Sequence, residues 1–282
     1  MIAVVDYQKG NLKSVERGLI AAGGKAFITA DASEIAKADA IVLPGVGAFA
    51  DAAATMCELG QMEVIRERVR AGVPFLGICL GEHLMFEHGV EGAPEGSPAC
   101  GLGLLPGTVV AMPRYDEQGK AFKVPHVGWN TIEMPACNGG AAIPPCGGVG
   151  GNAVLSSGGV GGGAARSSAA KRGLFEHGAF LDSTPQPGGD FAFPDSATQP
   201  GSEPAFACPL FDGIAPGEYF YFTHSYIAPT GSHTIAETTH SVRFTSAIQY
   251  GDRAFGVQFH PEKSSDAGAR VLANFVAIAA RG

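Results

Sequence analysis

Val73-Pro74-Phe75-Leu76-Gly77-Ile78-Cys79-Leu80-Gly81-Glu82-His83-Leu84-Met85-Phe86 decides the fold. Its first part is a short apolar run of strand length, and the segment Glu82 to Phe86 has a helical pattern. Cys79 therefore falls on a strand-to-helix turn. A glycine two residues to either side lets the backbone bend sharply and lift the thiol over the sheet edge, the cysteine form of a nucleophile elbow. A thiol at a helix N-terminus also meets the positive end of the helix dipole, which favours thiolate. The Leu80 amide is placed to donate to an oxyanion.

Far along the chain lies Val257-Gln258-Phe259-His260-Pro261-Glu262. Alternation along a strand puts residues two apart on one side, so His260 and Glu262 are expected to meet while Pro261 closes the strand. A carboxylate beside an imidazole fixes its tautomer and supports the imidazolium formed when the ring takes a proton from a thiol. Alone, Cys79 would read as an inert buried cysteine. Its glycine neighbours and the distant His-Pro-Glu turn favour a nucleophile, its base and the base's orienter.

Outward from these motifs, strand and helix alternate: strands at Ile2 to Val5, Ala40 to Leu43 and Phe75 to Ile78, helices at Leu12 to Ala22 and Met62 to Ala71. This predicts an α/β fold with a mostly parallel central sheet flanked by helices. From Leu104 to Met134 shorter strands such as Gly107 to Met112 and Lys123 to Pro125 are expected to form hairpins at the sheet's edge. Residues 136–208 turn to Gly, Ala, Pro and Ser and carry too few apolar groups to offset their ordering entropy. They are expected to be a flexible insertion interrupting a single domain over 1–282. Their glycine runs lack the preceding strand and Gly-Lys-Ser/Thr ending of a phosphate loop. Strand patterns return at Tyr219 to Phe222, Thr234 to Ala236, Ala247 to Tyr250 and Phe255 to Phe259. The last helix spans Asp266 to Ala280, with Val271, Leu272, Phe275, Val276 and Ala279 on its apolar stripe.

The chain has 282 residues, 45% of them hydrophobic, enough for a substantial core. A net charge of −8 and no basic patch argue against nucleic acid or an anionic membrane as the main partner. Met1-Ile2-Ala3-Val4-Val5 enters a strand pattern without a targeting leader, and no apolar run is long enough to span a membrane, so a cytoplasmic location is expected. The six cysteines show no Cys-x-x-Cys spacing, which speaks for reduced thiols and against a metal site.

With these residues in view, the chain resembles the class I (triad) glutamine amidotransferases. Within them it is similar to the glutaminase subunits of imidazole glycerol phosphate synthase in histidine biosynthesis. The resemblance covers 1–135 and 209–282. Beyond the two motifs above, it rests on Asp6-Tyr7 with Gly10-Asn11, Leu43-Pro44-Gly45-Val46-Gly47-Ala48-Phe49, Pro125-His126-Val127-Gly128-Trp129-Asn130 and Tyr221-Phe222-Thr223-His224-Ser225-Tyr226.

The resemblance implies that Cys79 attacks the side-chain amide of glutamine, that His260 protonates the departing ammonia, and that Glu262 holds the base. No cofactor is implied. It also implies an oxyanion strand at Gly45, Val46 and Gly47, whose other reading is an ordinary glycine turn, and a glutamine pocket formed with Leu80, His83, His224, Ser225 and Tyr226. The implied partner is a (β/α)8 cyclase that receives the ammonia, with Asn11, Trp129, Tyr221 and Lys263 at the interface. On sequence grounds Trp129 and Tyr221 read equally as core aromatics, and Lys263 as a solvated charge. His83 departs from the family, which carries Gln there. A subunit that docks but hydrolyses glutamine poorly is therefore one alternative, and an amidotransferase of another pathway is a second.

Overall fold

The computed structural model describes residues 1–135 and 206–281. The chain begins with β1 (Ile2–Val5), α1 (Leu12–Ala21), β2 (Ala26–Thr29), α2 (Ala32–Ile35), β3 (Ala40–Gly45), α3 (Phe49–Glu58), α4 (Gln61–Arg70), β4 (Phe75–Cys79) and α5 (Leu80–His83). It continues through β5 (Phe86–Gly89), β6 (Ala99–Cys100), β7 (Leu105–Ala111) and β8 (His126–Thr131). After the undescribed stretch come β9 (Tyr219–His224), β10 (Tyr226–Ile227), β11 (Thr234–Thr239), β12 (Arg243–Tyr250), β13 (Ala254–Val257) and α6 (Ser265–Ala280).

Seven strands form the main sheet in the order β11-β12-β13-β4-β3-β1-β2. The five from β13 to β2 are parallel, and β11 and β12 are antiparallel additions. Strand alternation divides the core in two. Ile2, Val4, Val42, Leu76 and Ile78 pack with Val15 and Leu19 of α1 and with Val271, Leu272, Phe275 and Ile278 of α6. Val5, Ile41, Leu43 and Phe75 face the other way, onto α2, α3 and α4. Both faces are covered, so these strands read as continuous apolar runs.

The expected alternation of strand and helix is present, with three additions, β2, α2 and α3. The alanine-rich stretch of α3 buries Phe49, Ala52, Ala53 and Met56, a helical spacing whose contrast with the exposed alanines is too low to register as amphipathic. The segment from Leu104 to Met134 is corrected. Instead of hairpins on the main sheet, β7 pairs parallel with β5 in a four-stranded sheet, and β8 pairs antiparallel with β9 in a two-stranded ribbon. Lys123 to Pro125 forms no strand.

Most of the segment expected as an insertion lies outside the described residues. At its end, Phe206 and Cys208 are buried, with Phe206 against Phe211. The core therefore resumes at Phe206, earlier than composition places it.

Candidate active site

The parallel strands β3, β4 and β13 end along one edge of the main sheet, the edge at which open α/β folds bind ligands. Cys79 ends β4 with φ 54° and ψ −107°, a conformation sparsely populated by residues other than glycine. Space for this turn comes from its glycines. A Cβ on Gly77 would lie 2.4 Å from the Gly81 carbonyl oxygen, and one on Gly81 would lie 1.8 Å from that of Leu43.

The helix after Cys79 is shorter than its sequence pattern indicates. α5 is one turn, and Phe86 already belongs to β5. The carbonyls of Leu84, Met85 and Phe86 accept from the amides of Leu102, Leu104 and Gly103, so the connection between β6 and β7 captures the backbone that a longer helix would have used. A single turn contributes only a small dipole, because few peptide units are aligned. Leu80 occupies the first helical position, where no intrahelical acceptor exists for its amide.

His260 and Glu262 meet, with Nδ1 to Oε1 at 2.9 Å and both side chains buried. Strand alternation is not the cause. β13 ends at Val257, and the pair sits on a 3₁₀ turn, Pro261–Lys263, with Pro261 at its first position. Burial alone would lower the proton affinity of His260. The hydrogen-bonding and charge interactions with Cys79 and with Glu262 outweigh it and raise the imidazole pKa to about 9. Nε2 is buried without a hydrogen bond of normal geometry among the described residues, while Cys79 is near enough to bias its protonation.

Cys79 and His260 open onto a cavity of about 300 Å³ that Val46, Gly47, Leu80, His83, His224, Ser225 and Tyr226 also line. Gly45 lies behind this wall, where an added Cβ would meet the Tyr7 hydroxyl at 2.6 Å. The Val46 amide donates to that hydroxyl at 3.2 Å, so it is engaged with buried Tyr7. The two ring nitrogens of His224 are occupied, Nδ1 by the Tyr226 carbonyl at 2.8 Å and Nε2 by His126 Nδ1 at 3.1 Å. Burial, opposed by the Tyr226 bond, holds the His224 pKa well below the ordinary imidazole value.

His83 lies in the cavity wall, but its Nε2 is 2.7 Å from Gln258 Oε1, and Gln258 Nε2 is 3.6 Å from Cys79 Sγ. Nothing in the sequence pattern around His260 points to a role for Gln258. Its nearness to the thiol depends on strand pairing, since β13 lies beside β4 with Val257 opposite Ile78. Glu82 is completely buried with no partner for either carboxylate oxygen among the described residues, and burial, then the charge of Cys79, raises its pKa well above the usual range.

Trp129 and Tyr221 are cross-strand neighbours on β8 and β9, with ring centroids 6.0 Å apart and edge-to-face. Trp129 is 52% exposed, which sets aside its reading as a core aromatic. Tyr221 is half-buried, and Lys263 Nζ lies 5.9 Å from the centre of its ring. Val127 and Tyr219 extend this exposed apolar face, while Phe220, Phe222 and His126 point inward. Asn11 is exposed at the start of α1 and takes no part in these ring contacts.

Among the described residues no cluster of His, Cys, Asp and Glu could hold a metal ion, and no helix is long and apolar enough to cross a membrane.

Comparison with known proteins places the chain in a family. The model of the family "Glutamine amidotransferase class-I" matches residues 3–134 and 195–279. The chain is 35% identical to imidazole glycerol phosphate synthase subunit HisH of Moorella thermoacetica, over 97% of this chain and 93% of that one. It is 32% identical to the same subunit of Syntrophotalea carbinolica, over 98% of each. In fold it is similar to a crystal structure of a glutamine amidotransferase, with a TM-score of 0.56 at 14% identity, covering 99% of this chain and all of that one. A cysteine elbow at the sheet edge, a buried His-Glu pair beside it and these matches lead to one conclusion: the chain belongs to the class-I glutamine amidotransferase family.

Proposed function

We propose that this chain is the glutaminase subunit of imidazole glycerol phosphate synthase, acting in the cytoplasm with a (β/α)8 cyclase subunit in histidine biosynthesis. The observation that carries the chemistry is the convergence of Cys79, at its left-handed elbow, with the buried His260–Glu262 pair on one cavity. The pathway rests on the two HisH relatives, each aligned over nearly the whole chain.

In this reading Cys79 Sγ attacks the side-chain amide carbon of glutamine. A C–S bond forms, and the carbonyl π electrons move onto oxygen. The Leu80 amide stabilises that oxyanion from the start of α5. Imidazolium His260 gives its proton to the amide nitrogen, the C–N bond breaks, and ammonia leaves with a glutamyl thioester behind it. Water then attacks the thioester carbon while His260 takes a proton from it. The C–S bond breaks and glutamate is released. Glu262 holds Nδ1 throughout, so that Nε2 exchanges the proton. Glutamine's α-amino and α-carboxylate groups lie in this reading against the wall formed by Val46, Gly47 and residues 224–226.

The exposed ribbon face bearing Trp129 and Tyr221, with Lys263 beside it, supports docking of the cyclase there. Ammonia has to reach that partner unprotonated, since the ammonium ion is no nucleophile. Glutamate release measured with and without the cyclase tests the proposal. Release stimulated by the cyclase, lost in Cys79→Ala while synthesis from added ammonia persists, is the expected result. Loss of both activities together would remove Cys79 from the role given to it. A docking subunit of low glutaminase activity is the second reading, favoured by the Val46 amide being engaged with Tyr7 and His83 with Gln258. No release at saturating glutamine with the cyclase present would select it. Co-purification of a synthase from a different pathway would redirect the assignment.

A further inference from the structure

The residue that departs from the family pattern, His83, has a definite partner. β13 and β4 run parallel with Val257 opposite Ile78, so the next residues, Gln258 and Cys79, leave the sheet side by side. Gln258 is completely buried, and its backbone amide donates to the Ser246 carbonyl at 3.0 Å. Its side chain therefore starts from a fixed point. Its Oε1 lies 2.7 Å from His83 Nε2 and its Nε2 lies 3.6 Å from Cys79 Sγ. Burial, opposed by the bond to Gln258, lowers the His83 pKa to about 4, so the ring is neutral at pH 7.

A neutral imidazole donates through one nitrogen only. With the proton on Nε2, His83 donates to Gln258 Oε1, which turns the amide NH₂ towards sulfur. The opposite tautomer would set a lone pair against the amide oxygen.

We propose that His83 and Gln258 form a positioning relay for the reactive sulfur: His83 orients the Gln258 amide so that its N–H donates to Cys79 and stabilises the negative charge that the sulfur carries before attack. The proposal rests on Cys79 being the glutaminase nucleophile. It gives His83 a task other than binding glutamine, because Nε2 is already spent. The sulfur then has the base His260 as one neighbour and the amide donor as another.

The remaining groups around the site do not replace this donor. The Thr223 carbonyl of β9, 3.9 Å from Sγ, is an acceptor only. Burial, then the charge of Cys79, shifts Glu82 of α5 towards its neutral form, and a carboxylate is an acceptor that would oppose charge on sulfur. The Tyr7 hydroxyl is kept protonated by burial and accepts from Val46. His224 of β9 is neutral, with its nitrogens engaged elsewhere. Glu262 acts on His260.

The test is the rate of Cys79 alkylation by iodoacetamide across pH on the full chain, followed on the Cys79 peptide by mass spectrometry because Cys57 and Cys100 are exposed and also react. Gln258→Leu and His83→Leu are expected to slow alkylation at pH 7 about tenfold and to move its midpoint up by about one pH unit, the worth of a hydrogen bond to a charged acceptor. The double variant should be no slower than either single one, because the two act in series. His83→Gln, whose amide can also donate to Gln258 Oε1, should return the profile towards the parental one. With the cyclase and glutamine, the leucine variants should lower kcat more than they raise KM.

Unchanged alkylation with a raised KM in His83→Leu would overturn the relay and make His83 a substrate contact, and additive losses in the double variant would also overturn it. Should the leucine variants fail to fold, the parental chain supplies the answer. The side-chain ¹⁵N resonance of Gln258 must titrate with the midpoint of Cys79 alkylation, and a resonance insensitive to that titration overturns the relay. Glutamate release that persists in Cys79→Ala would instead overturn the nucleophile role given to Cys79 in the proposed function.

Discussion

At pH 7 His260 holds its proton, because Cys79 and Glu262 more than offset the loss of solvation on burial and keep its pKa near 9. The imidazolium is the form that protonates departing ammonia, so glutamate release should decline with a midpoint near pH 9. Glu262→Gln removes one support of that proton. The alkaline limb should move to lower pH by about one unit, as expected for loss of an adjacent opposite charge, and the pH profile of kcat with the cyclase checks it. Glu82 shows the opposite sign of linkage. Its folded-state pKa lies above the usual 4.5, so the folded chain binds this proton more tightly than the unfolded one. Its contribution to stability is full below pH 4.5 and falls as pH rises towards the folded-state value. Glu82→Met should therefore gain stability relative to the parent as pH rises, by about 1–3 kcal/mol at pH 8. Urea unfolding at pH 5 and pH 8 measures the widening gap.

At the scale of elements, the reactive turn depends on how closely β4, α5 and β3 approach. An alanine Cβ at Gly81 would sit 1.8 Å from the Leu43 carbonyl oxygen, a contact that only backbone movement relieves. Gly81→Ala is expected to cost about 3 kcal/mol or more and to abolish rapid alkylation of Cys79, as urea midpoints and peptide mass spectrometry would show. The segment after β3 gives a milder test. Tyr7→Phe removes the acceptor of the Val46 amide, which costs about 1 kcal/mol and frees that N–H to turn towards the cavity. Glutamate release without the cyclase should then rise, and assays of the isolated chain decide. The glycines of the elbow were legible in the sequence because the backbone there admits nothing larger. The single-turn length of α5 was not, since the carbonyls of residues 84–86 are claimed by amides of residues 102–104.

For the whole molecule, the ribbon of β8 and β9 joins the proposed docking face to the site. Tyr221 shows part of its ring outside, its carbonyl accepts from the His260 amide at 2.9 Å, and its amide donates to Ser264 Oγ at 3.0 Å. Pressure on the exposed face therefore has a short backbone route to the base. Trp129→Ala should weaken cyclase binding by about 2 kcal/mol, as for an aromatic anchor, while leaving Cys79 alkylation of the isolated chain unchanged. Titration calorimetry and the alkylation assay separate the two.

By itself the sequence determined the family, the parallel α/β core, the elbow at Cys79 and the meeting of His260 with Glu262, because elbow glycines, buried strands and a His-Pro-Glu turn each constrain residues close to one another in the chain. Only the tertiary structure decided that His83 reaches Cys79 through Gln258, that the Val46 amide is held by Tyr7, and that Trp129 and Tyr221 share an exposed face. Each depends on strand register or cross-strand pairing between segments far apart in sequence, where a single step along a strand moves a side chain to the opposite face.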